Sequence, residues 1–135
     1  MVYLFDACTL IALLNGEDEA EKVTELVTNA FEGKDSVFIS SVQALEVYYD
    51  RIYIMGREYA DTFLDNLFSS PIVIISEITG DLIREAGRFK TSYSMSLADS
   101  IMCAIAKNLN ATLVTKDNEI KPVENAGEFS VVWLK

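Results

Sequence analysis

Val2-Tyr3-Leu4-Phe5-Asp6-Ala7-Cys8-Thr9 decides the fold: four β-prone apolar residues run straight into an aspartate and then small residues. The pattern recurs. Val37-Phe38-Ile39 precedes Glu46 by about two helical turns, and Leu113-Val114-Thr115 comes just before Asp117. Asp99 opens a late helical segment three residues after Ser96. Strands separated by helices imply right-handed crossovers and a parallel sheet. In such a sheet ligands bind at the carboxyl ends of the strands, where acids leaving several strand tips converge. Ionised carboxylates in one cleft repel one another, and a hard oxygen-seeking ion such as Mg²⁺ or Mn²⁺ neutralises them. Asp6, Glu46, Asp99 and Asp117 are therefore read as one metal site.

The rest of the chain fits an α/β domain. A short helix carries Leu10, Ile11, Leu13 and Leu14 and stops near Asn15-Gly16. Glu17 to Glu32 reads as a second helix with Val23, Leu26, Val27, Ala30 and Phe31 inward, ended by Gly33. Ser40 or Ser41 caps a third, with Val42, Leu45, Tyr49 and Ile52 expected to face the core. Arg57 to Phe68, Thr79 to Tyr93 and Ser96 to Asn108 are further helices; Ile72 to Ile75, Thr112 to Thr115 and Ser130 to Leu134 are strands. The expectation is one domain over residues 1–135, three-layer α/β/α, with a mostly parallel sheet of four or five strands.

Composition narrows the chemistry. The chain has no histidine, so imidazole acid–base catalysis is excluded and hydrolysis falls to carboxylates and a metal ion. Cys8 and Cys103 lack the paired spacing of a zinc site and read as reduced, buried thiols. Apolar runs fall far short of a membrane span, and no basic leader precedes the first strand, which points to the cytosol. A net charge of −10 argues at first against nucleic acid. Its distribution softens that: Arg84 to Lys121 holds six bases and four acids, whereas the remainder holds five bases and 17 acids.

Each acid also has an ordinary reading. Asp6 and Asp117 suit turns, and Asp99 suits a capping box with Ser96. Glu46 is the most telling, because an acid among Val42, Leu45, Val47, Tyr48 and Tyr49 costs stability unless a cation or donor meets it.

Phe5-Asp6-Ala7-Cys8, Ala44-Leu45-Glu46-Val47, Leu97-Ala98-Asp99-Ser100 and Val114-Thr115-Lys116-Asp117 together resemble the PIN-domain ribonucleases, most closely the small toxins of VapBC type. The resemblance covers nearly the whole chain. It implies hydrolysis of RNA phosphodiester bonds with one or two Mg²⁺ or Mn²⁺ ions, Asp6 and Asp99 as central ligands and Glu46 and Asp117 completing the site. Thr115 and Thr9 would hydrogen-bond ligands or water. The family often has Ser, Thr or Asn two positions after the first Asp, where this chain has Cys8.

The resemblance further implies a cognate antitoxin and a homodimer. Val47, Tyr48, Ile54 and Met55, lying off the expected inward stripe of the third helix, suit a surface covered by either one. Two rivals stand beside this reading. One is an inactive interaction protein on the same scaffold. The other is a phosphatase of haloacid-dehalogenase type with Asp6 as nucleophile, whose second acid would fall at Cys8.

Overall fold

The computed structural model describes residues 1–134. Five parallel strands, β1 (Val2–Phe5), β2 (Ser36–Ser40), β3 (Val73–Ile75), β4 (Thr112–Thr115) and β5 (Val131–Trp133), form one sheet in the order β3-β2-β1-β4-β5. Helices α1 (Ala7–Leu14) and α2 (Ala20–Phe31) connect β1 to β2, and α3 (Ser41–Met55) and α4 (Arg57–Phe68) connect β2 to β3. Then α5 (Gly80–Ser92) and α6 (Leu97–Leu109) carry the chain back past β1 to β4. A 3-10 turn (Asn118–Ile120) and the short α7 (Lys121–Asn125), neither anticipated from sequence, lead to β5.

Alternation along the strands builds two cores. Phe5, Val37, Ile39 and Val114 pack under α1 to α4, while Leu4, Leu113 and the half-buried Phe38 face α5 and α6. The sheet is thus sandwiched, as the expected three layers require. Winding reverses between β1 and β4, so their carboxyl ends flank a crevice that no crossover covers.

Side chains set the helix starts. Ser40 accepts from the Gln43 N–H, Thr79 from Leu82 and Ser96 from Asp99, each at 3.1 Å. At the other end of α6, Asn110 adopts a left-handed φ of 50° that lets the chain turn directly into β4.

The inward face of α3 differs from the expected one. Gln43, Ala44, Val47 and Arg51 are buried, whereas Leu45 and Tyr49 are exposed and Val42 and Ile52 only half-buried. Apolar periodicity pointed the wrong way because two of the inward residues are polar and satisfied by hydrogen bonds. Phe31, expected inside, is also exposed; α2 ends there, and only Val23 and Leu26 reach the core fully.

Candidate metal centre

Asp6 follows β1 directly. Phe5 pairs with Val114, and the Asp6 N–H continues the ladder to the Val114 carbonyl at 3.1 Å. That register sets Asp6 beside Thr115, whose hydroxyl donates to Asp6 Oδ2 at 2.7 Å and accepts from the Asp117 N–H at 3.0 Å. One threonine therefore orients the acids of two strand tips. Asp117 is fixed again by accepting from the Glu119 N–H at 3.0 Å.

Glu46 and Asp99 arrive from the helices. Gln43, held by Ser40, donates to the Ala98 carbonyl at 3.0 Å and lies 3.5 Å from Glu46 Oε1. This buried amide ties α3 to the first turn of α6 and brings Glu46 toward Asp99.

All four predicted acids line one open cleft of about 400 Å³, together with Cys8, Ile11, Tyr49, Asp50, Ser96 and Lys116. Asp99 and Asp117 form the tightest group with Glu119, ligand oxygens lying within 4.8 Å of one another. Asp6 and Glu46 stand outside that trio, within electrostatic reach of Asp99. Sequence reasoning missed Glu119, whose signal was its place two residues after Asp117, the span of an Asx turn.

The acids strain against one another. Burial pushes Asp6 above the ordinary aspartate range, the Thr115 bond and the Ala7 N–H opposing it and the charge of Asp117 adding to it. Burial raises Asp99 to about 6, with Asp6, Asp117 and Glu46 contributing repulsion. Glu46 is raised by burial and then by Asp6. Asp50, also in the cleft, is ion-paired: its Oδ2 accepts from the Arg51 guanidinium at 2.6 and 3.1 Å, and Arg51 is only 2% exposed.

Both thiols lie near this site and are free. Cys8 Sγ is 3.6 Å from Thr115 Oγ1, filling the place of the expected hydroxyl or amide. Burial, then the charge of Asp6, lifts the Cys8 thiol to about 11; burial, then Asp99, lifts Cys103 to about 12. Neither is a thiolate near neutral pH. Thr9 corrects one expectation: its hydroxyl donates to the Val114 carbonyl at 2.7 Å and braces β4 rather than a carboxylate.

Hard oxygen donors in a cleft open to solvent, their carboxylates raised by burial and then by one another's charge, suit a hard divalent cation such as Mg²⁺ or Mn²⁺. The chain belongs to the PIN domain family, whose model matches residues 3–125. In particular, its fold is similar to that of VapBC2 from Rickettsia felis bound to a promoter DNA fragment, at 22% identity over 98% of each chain and a TM-score of 0.75. DNA-bound VapBC from Salmonella typhimurium is similar at 13% identity over 100% of this chain and 99% of that one, with a TM-score of 0.74. Mycobacterium tuberculosis VapC20, a sarcin-ricin loop cleaving toxin, gives 13% identity over 91% and 95% and a TM-score of 0.69. No curated protein sequence matches. No helix among the described residues is long and apolar enough to cross a membrane.

Proposed function

We propose that this chain is a divalent-metal-dependent endoribonuclease acting as one domain, the toxin of a toxin–antitoxin pair in the cytoplasm. The observation that carries the reading is Asp6, a carboxylate only 6% exposed that meets no base among the described residues, set at the topological switch point among acids that raise one another's pKa. Asp6 and Asp99 would hold the ion centrally, with Glu46, Asp117 and the added Glu119 completing the shell. A divalent ion held by these residues would supply Lewis-acid stabilisation of the scissile phosphate and a lowered pKa for the attacking water. The protein's own part is orientation. Thr115 fixes the Asp6 carboxylate, and Gln43 fixes Glu46 against α6.

Membership of the PIN family and the activity named for VapC20 support RNA as substrate. The toxin–antitoxin assemblies among the similar structures support an antitoxin partner. On this chain a helical antitoxin segment suits the apolar groove of Leu10, Leu13, Leu14, Tyr59, Phe63 and Leu67 between α1 and α4. A homodimer would cover exposed apolar side chains elsewhere, such as Tyr53, Ile54 and Met55 of α3.

The test is cleavage of structured and unstructured RNA by purified protein in Mg²⁺ or Mn²⁺. Activity is expected to vanish with EDTA and in Asp6→Asn and Asp99→Asn. Cleavage that survives EDTA or both substitutions would overturn the metal-nuclease reading.

A further inference from the structure

Among the described residues lining the cleft, Lys116 is the only base, against Asp6, Glu46, Asp50, Asp99 and Asp117. It sits between Thr115 and Asp117, in the middle of the acids a cation must join. Its ammonium nevertheless forms its ion pairs outside that set. Nζ lies 2.5 Å from Glu17 Oε1 and 4.0 Å from Glu19 Oε2, on the connection between α1 and α2. The partners are 99 residues apart in sequence, and Glu19 is only 8% exposed, so the tertiary fold sets this contact.

We propose that Lys116 grips a phosphate of the RNA strand next to the one being cut, and that Glu17 and Glu19 position its ammonium for this at the rim of the cleft. This rests on the ribonuclease reading above. A strand entering a cleft of carboxylates is repelled at every phosphate that no metal neutralises, and a lysine is a compact point charge for such a group. Pairing Lys116 with Asp117 or Asp6 would satisfy it at the expense of the metal ligands. Pairing it with Glu17 keeps the ligands open. An ammonium carries three donors, and with one short carboxylate contact and one long one it retains capacity for a phosphate oxygen.

Binding of a labelled single-stranded RNA, followed by fluorescence anisotropy over a salt series with Ca²⁺ in place of Mg²⁺, tests this. Lys116→Met is expected to weaken binding about tenfold and to flatten the slope of log K against log salt by about 0.7, the loss of one phosphate contact. Lys116→Arg should restore most of it. Lys22→Met makes the same charge change on exposed α2 and should move both quantities little. Glu17→Gln removes a negative charge yet should weaken binding roughly threefold, whereas Glu21→Gln, with the same charge change, should leave or tighten it. If Lys116→Met matches Lys22→Met, or Glu17→Gln tightens binding as Glu21→Gln does, the assignment is overturned. RNA that binds with these effects but is not cleaved in Mg²⁺ would sink the hydrolysis reading and uphold Lys116. Absence of RNA binding would overturn both.

Discussion

The two ends of α6 place a carboxylate in opposite surroundings. At the carboxyl end, Glu128 accepts from Arg88 at 2.7 and 3.0 Å, from the Tyr93 hydroxyl at 2.8 Å and from Lys107 at 3.1 Å. The Arg88 bonds foremost hold it at about 2. At the amino end, Asp99 has the Ser96 cap and otherwise only burial and like charges, which hold it at about 6. One cluster is closed, with every charge answered from within the fold. The other leaves its like charges unanswered among the described residues, the pattern a candidate functional site presents and a structural ion-pair network does not.

The largest expected effect lies inside the cleft and separates its two kinds of acid. Asp50→Asn strands the buried Arg51 guanidinium and should cost about 3 kcal/mol in urea unfolding. An effect as small as that of Asp99→Asn would erase the distinction between a paired and an open acid. Next comes the response to metal. At a hundredfold excess over Kd, Mn²⁺ should stabilise the wild type by about 2.7 kcal/mol. Glu128→Gln should keep that gain and Asp99→Asn lose most of it, as thermal melts would show; an equal shift in both would remove Asp99 from the ligands.

Glu128→Gln should cost about 1–2 kcal/mol near neutral pH by loosening the Arg88, Lys107 and Tyr93 bonds. Because the folded pKa of Glu128 lies below its ordinary 4.5, that stability is present above about 4.5 and lost as pH falls toward 2. The variant and wild type should therefore converge in strong acid. The smallest effect has the opposite sign. The folded pKa of Asp99 lies above its ordinary 3.8, so its favourable contribution is present below that value and is lost as pH rises through about 6. Metal-free Asp99→Asn should be more stable than wild type at pH 8, by no more than about 1 kcal/mol, and the gain should fade toward pH 4. Destabilisation at pH 8 in EDTA would reduce Asp99 to a helix cap.

Strands β1, β2 and β4 were legible because each is a short apolar run; Asp6, Asp99 and Asp117 were legible because each lies at or near the end of a strand or the start of a helix, and Glu46 because it interrupts an apolar stretch. The buried side of α3 was not. Gln43 and Arg51 are inward because Ala98 and Asp50 satisfy them, and hydropathy carries no record of such partners. The same limit hid the hold of Glu17 on Lys116, which exists only once distant segments meet. The parallel order was implied by the crossovers. The break between β1 and β4 became a crevice only in three dimensions.

The bond from Thr115 to Asp6 spans 109 residues, and the same hydroxyl accepts from the Asp117 N–H, so the acids of β1 and β4 share one anchor. For the ribosome making this chain, the four-acid cleft therefore cannot assemble until β4 and Asp117 have been synthesised. A chain cut before residue 112 would hold Asp6, Glu46 and Asp99 yet lack both Thr115 and Asp117. On the ribonuclease reading proposed above, such a fragment lacks the complete acid set and should not cut RNA.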